Sequence, residues 1–104
     1  MKADALKGHL DGMILAVVGA GPAHGYSVIE QLRRRSGGVF DLQEGTVYPA
    51  LHRLEAEGLL ASSWATASGR RRRVYRLTRR GRSALGERRG DWRVFARAVD
   101  GVLA

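Results

Sequence analysis

The sequence predicts a mainly α-helical domain in which three short helices precede a two-stranded β-hairpin and a long helix closes the chain. Three observations predict it. Apolar residues recur at helical spacing in three blocks ahead of Gly58. Between Leu59 and Leu77 the pattern changes to strand-compatible residues around a turn-forming cluster. A further apolar stripe, Leu85 to Leu103, ends the chain.

Leu6, Leu10, Met13, Ile14 and Val17 share one helical face, so roughly residues 5 to 19 are expected to form the first helix. GAGPAHG, Gly19 to Gly25, ends it, because glycine and proline at that density cannot continue a helix. Tyr26, Val28, Ile29 and Leu32 restart a helical face that stops at Gly37-Gly38, and VFDL is too short to be more than an extended connector. In QEGTVYPALHRLEAEGLL, Val47, Ala50, Leu51 and Leu54 follow i, i+3, i+4, i+7, and Gly58 supplies the stop. Pro49 is tolerated close to a helix start, where its missing N–H costs little, so the third helix should begin near Gly45 or Thr46. Strands over Leu59 to Thr66 and Arg72 to Leu77 should be joined by a loop near Ala67 to Arg71. Three helices followed by such a hairpin make a winged helix-turn-helix.

Thr78 is the expected N-cap of the last helix. Arg79, Arg80 and Arg82 fill its first turn, where the helix dipole disfavours cations, which points to charge kept for a partner. Leu85, Trp92, Phe95, Val99, Val102 and Leu103 form a stripe close to heptad spacing from Trp92 onward. No other helix of so small a fold can bury it, so a second copy of the chain is the expected partner. Residues 1–77 then form the winged unit and residues 78–104 the dimerisation helix, together one compact domain.

Charge sharpens the functional reading. The chain of 104 residues carries 18 basic and 10 acidic side chains, a net charge of +8, and the window Gly58 to Gly86 holds eight arginines with no Asp or Glu. A neutral body with one basic segment is the footprint of a partner with dense negative charge, although a solvated basic run is the usual fate of such clusters. With no cysteine there is neither a disulfide framework nor a thiolate metal site. His9, His24 and His52 make no metal-ligand spacing, His24 is read as structural, and no paired carboxylates or phosphate loop suggest an enzyme. Without a signal-like or membrane-spanning apolar run, a cytoplasmic protein that needs no cofactor is expected.

In helix-turn-helix proteins the second helix of the motif enters the major groove and offers residues near its N-terminus to base edges. Here that helix presents Thr46, Tyr48, His52 and Arg53, with Gln43 just before it. Gln43 and Thr46 suit bases, Tyr48 a phosphate, and Arg53 a phosphate or guanine. Tyr48 could instead cap the core, and Arg53 could pair with Glu57 one turn on. Arg70, Arg71, Arg72 and Arg73 at the hairpin tip suit phosphates or a narrow minor groove.

HGYSVIEQL, GTVYPALHRLEAEGLL and the hairpin pattern GRRRRVYRLTRRGR together resemble the PadR family of bacterial transcriptional regulators, over about Leu6 to Leu85. The resemblance implies a winged-helix homodimer that represses genes by binding a roughly palindromic double-stranded operator, with the final helix making the dimer. A single C-terminal helix is similar to the short type, some members of which sense small molecules. By that resemblance Trp92, with Phe95 and Ala96 one turn on and Asp11 on the first helix, would line a site for a planar aromatic effector. Gly8, Gly12 and Ala96 depart from the drug-sensing pattern, and Trp92 with Phe95 also reads as plain dimer packing. Non-specific nucleic-acid binding would account for the charge but not for the tyrosine-proline helix or the terminal stripe.

Overall fold

The computed structural model describes Leu6 and residues 8–104. In chain order the elements are α1 (Leu10–Ala20), β1 (Ala23–His24), α2 (Gly25–Arg35), α3 (Glu44–Ala56), β2 (Leu60–Ala67), β3 (Arg70–Leu77) and α4 (Arg79–Leu103). The helix expected over residues 5 to 19 is interrupted rather than continuous, with Leu6 helical ahead of the break. Gly8 takes a left-handed φ of 86°, which interrupts any helical path there, and α1 starts at Leu10. Leu6 lies ahead of that turn and is buried; the expected start at residue 5 falls outside the described residues.

Ile14, Leu15 and Val18 of α1, Val28 of α2, and Val47, Leu51 and Leu54 of α3 meet in one core, closed from the sheet side by Leu60 and Tyr75. Apolar residues at three- or four-residue intervals give each helix a single buried face, which is why the three amphipathic stripes can share one interior. α3 begins at Glu44, so Pro49 sits in the second turn rather than beside the start. Its ring removes the bond that Gly45 C=O would have accepted. Gly45 is exposed, and water is the partner open to a carbonyl at such a surface position.

The expected two-stranded hairpin is a three-stranded antiparallel sheet in the order β1-β3-β2. The added strand is two residues long: Ala23 pairs with Tyr75 and His24 with Val74. The hairpin loop is also shorter than expected. Ala67 pairs with Arg70, and Ser68 (φ 53°) and Gly69 (φ 75°) form a two-residue turn. Positive φ at both positions is the type I′ geometry, whose twist matches that of the paired strands. Arg70 and Arg71 therefore lie in β3 rather than in a loop.

Thr78 caps α4 as expected: its Oγ1 accepts from the Gly81 N–H at 3.0 Å and donates to Gly58 O at 2.7 Å. Gly81 is needed for this junction, since a Cβ there would collide with the carbonyl oxygen of Leu59 and with Leu77. α4 then packs along α1, where Gly12 comes against Arg88 and Gly19 against Leu77 and Leu85. Leu85 is consequently part of the protomer's own core at 6% exposure. It does not belong to the free stripe expected of the last helix, because α1 already covers it.

Beyond that contact the helix continues, and the chain as a whole measures 52 × 28 × 20 Å. Trp92, Phe95, Val102 and Leu103 are all more than half exposed, and Val94 with them. No helix among the described residues is long and apolar enough to cross a membrane.

Candidate nucleic-acid interface

The hairpin leans over α3, and the two enclose an open basin of about 530 Å³. One wall is α3, through Glu44, Tyr48 and His52 at four-residue spacing. The opposite wall is Trp64 of β2 with Arg70 to Arg73 and Tyr75 of β3. His24, Gly25 and Tyr26, at the start of α2, close the end. Four guanidiniums and two imidazoles share this space with one carboxylate.

Each wall is set by local chemistry. His24 is the N-cap of α2, its Nδ1 accepting from the Ser27 N–H at 3.2 Å. That bond requires a lone pair on Nδ1, so the neutral ring carries its proton on Nε2. Arg72 Nη1 lies 3.4 Å from Nδ1 and 3.2 Å from Nε2; near-equal distances to both nitrogens put the guanidinium against the ring face. Burial, then the Arg72 charge, holds the His24 pKa below the ordinary value. Tyr48 is half-buried, its ring lying against Gly25 so closely that a Cβ at residue 25 would overlap it. Both readings of Tyr48 thus meet in one side chain: its ring packs on the core and its edge lines the basin.

The arginines of β3 differ in their partners. Arg70 is exposed at the tip. Arg71 and Arg73 place their guanidiniums over the Trp64 ring, 4.8 and 5.5 Å from its centroid. Arg73 also meets Glu55 of α3 at 3.5 Å. The Glu55 carboxylate in turn accepts from Ser62 Oγ at 2.5 Å, and that bond first, with Arg73 beside it, holds its pKa low. At the start of α4, Arg80 comes against Gly58 at the C-terminal end of α3, where the helix dipole welcomes a cation. One of the three arginines that looked misplaced in the first turn of α4 thus has a structural use.

Gln43 and Thr46 are exposed at the start of α3, and Gln43 makes no side-chain cap bond. Neither they nor Arg53 line the basin. Arg53 turns to the other side of α3 and binds Asp11 of α1 through two bonds of 2.7 Å, with Glu57 at 3.6 Å. In the free chain Arg53 is thus engaged by an ion pair, and the pairing expected with Glu57 is its weaker part. The same pair engages Asp11, whose carboxylate serves Arg53 and approaches Arg88 at 3.9 Å.

On α4, Trp92 and Phe95 lie 6.0 Å apart, and His9 completes the group at 5.3 Å from Trp92 and 6.2 Å from Phe95. Ala96 and Val99 are half-buried. Sequence reading missed His9, Tyr26, Glu44 and Trp64. The spacing 44, 48, 52 was the one signal that could have added Glu44. The others come to their places only through tertiary packing.

Comparison with known proteins places the winged fold in a known family. The model of the transcriptional regulator PadR-like family matches residues 14–87. The chain belongs to the PadR family of transcriptional regulators. A transcriptional regulator of Mycobacterium tuberculosis is 46% identical over 78 residues, covering 75% of this chain and 70% of the relative. A PadR family transcription regulator from Clostridium difficile, 32% identical, superposes with a TM-score of 0.84 over 93% of this chain and all of that one. At 24% identity, a transcriptional regulator from Clostridium thermocellum shares the fold over the whole chain, with a TM-score of 0.90. All three relatives are transcriptional regulators. As a PadR regulator the chain binds DNA, and the residues just described are its candidate contacts.

Proposed function

We propose that the chain is a homodimeric repressor that binds a roughly palindromic operator, with α3 in the major groove and the β2–β3 hairpin on the flanking backbone. The observation that carries this reading is the basin: guanidiniums on one wall and the Tyr48–His52 face of α3 on the other, with Glu44 the acid at its mouth. A strand of phosphates laid along it meets a concentration of positive charge. Gln43 and Thr46, at the exposed start of α3, are the residues proposed to read base edges. Trp92, Phe95, Val99, Val102 and Leu103 of α4 are proposed as the dimer contacts, burying an apolar stripe that a lone chain leaves in water. A repressor of this kind works in the cytoplasm, where the chromosome is.

Selection from a pool of random duplexes tests the reading. The recovered sites should show two related half-sites about one helical turn, ~34 Å, apart. Recovery of no common sequence would contradict it. A planar aromatic effector is a second reading, favoured by the exposed His9–Trp92–Phe95 group. It predicts quenching of tryptophan emission by such a compound and release from DNA, both lost in Trp92→Ala.

A further inference from the structure

Trp64 is an apolar side chain left 56% exposed on the hairpin, in a place where the core gains nothing from it. Its position in the ladder explains what it meets. Trp64 is directly opposite Arg73, and Arg71, opposite Thr66, is its diagonal neighbour on the same face. In an antiparallel pair the directly opposite residue and the diagonal neighbours are within reach of a large ring. Both guanidiniums lie over the ring, at 4.8 and 5.5 Å.

The two arginines are not held equally. Arg73 has a second anchor in Glu55 at 3.5 Å, so its guanidinium is fixed from two directions. Arg71 is exposed and makes no ion pair among the described residues, which leaves the ring as its constraint. Unconstrained arginine side chains lose much rotamer freedom on meeting a phosphate. A side chain already laid flat on an aromatic face has lost part of it beforehand.

We propose that Trp64 is a positioning residue for DNA binding: its ring holds Arg71 and Arg73 in the orientation in which they meet the phosphate backbone. The proposal rests on the DNA-binding reading above and adds a residue that acts through its neighbours. The ring needs no contact with the nucleic acid.

The test is a double-variant cycle on the full chain, read as affinity for a duplex recovered by selection. Trp64→Leu should weaken binding about fivefold, in line with an exposed cation–π contact, whereas Trp64→Phe, which keeps a π face, should restore most of it. In an Arg71→Ala background the loss from Trp64→Leu should shrink, because part of what the ring positions is gone. Unchanged affinity in Trp64→Leu overturns the proposal, as does a loss that adds fully to that of Arg71→Ala, which would mean direct contact with DNA. A loss that Phe fails to rescue and that follows a lowered unfolding midpoint also overturns it, in favour of a purely structural ring. A wild-type chain that binds no duplex overturns the DNA reading beneath it. A wild type that binds normally beside an unaffected Trp64→Leu overturns this proposal alone.

Discussion

The guanidinium of Arg53 grips the carboxylate of Asp11 through two hydrogen bonds of 2.7 Å, tying α3 to α1 across 42 residues of sequence. Bidentate geometry makes this a better ion pair than most surface ones. Arg88 of α4 approaches the same carboxylate, so one acid ties three helices together. Asp11→Asn should cost about 1 kcal/mol in denaturant unfolding at neutral pH.

The same pair sets an acid limb. The bond from Arg53, against the opposing effect of burial, holds the Asp11 pKa below its ordinary value. A carboxylate depressed in the folded state stabilises fully above its unfolded pKa and loses that contribution as pH falls through the folded one. Stability should therefore decline from about pH 4 downward, and the decline should be shallower in Asp11→Asn. Equal acid limbs in the two proteins would refute this.

His24 predicts a second pH dependence, of opposite chemical origin. Its folded pKa is lowered, so the folded chain resists protonation that the unfolded chain accepts. Above the ordinary imidazole range there is no penalty; as pH falls through about 6.5 toward the folded pKa, stability is lost. His24→Asn keeps an acceptor at the N-cap and should remove that slope in unfolding experiments between about pH 7 and 5.

Gly81 is predicted to be irreplaceable for packing. Gly81→Ala drives a methyl group into the Leu59 carbonyl and the Leu77 side chain. Overpacking against backbone should cost about 3 kcal/mol and lower the unfolding midpoint accordingly. Gly86→Ala, where nothing lies within 4 Å of the new Cβ, should stabilise α4 by up to about 1 kcal/mol.

The terminal stripe carries the oligomer prediction. Phe95→Asp places a charge on the exposed apolar face of α4, away from the protomer's own core. Sedimentation should show the wild type as a dimer and the variant as a monomer with its helix content retained. A monomeric wild type would remove the dimer from the account.

How much of this the sequence discloses depends on whether the cause is local. The Thr78 cap, the α3 stripe and the break at Gly58 are decided by neighbours in sequence, and all three were legible. β1 was not, because Ala-His beside glycine and proline carries no strand signal and becomes a strand only by pairing with β3. Arg53 shows the same division: Glu57 at i+4 was the partner that periodicity could offer, but Asp11 binds it at shorter range. The basic segment was visible as charge, whereas the laying of Arg71 and Arg73 on Trp64 depends on strand register. A shift of one residue would send those arginines to the opposite face.

The central claim is that the guanidinium-lined basin holds the backbone of a specific duplex. Fluorescence anisotropy on the DNA upstream of the protein's own coding sequence, against a scrambled duplex and across a salt series, tests it most directly. The account predicts a preference for the upstream sequence at physiological salt. It also predicts a log–log salt slope that becomes shallower by about 1.8 for the bound dimer in Arg71→Ala, because each of its two protomers neutralises one phosphate fewer, at about 0.9 apiece. Equal binding of both duplexes, collapsing with salt and with an unchanged slope in Arg71→Ala, would contradict it.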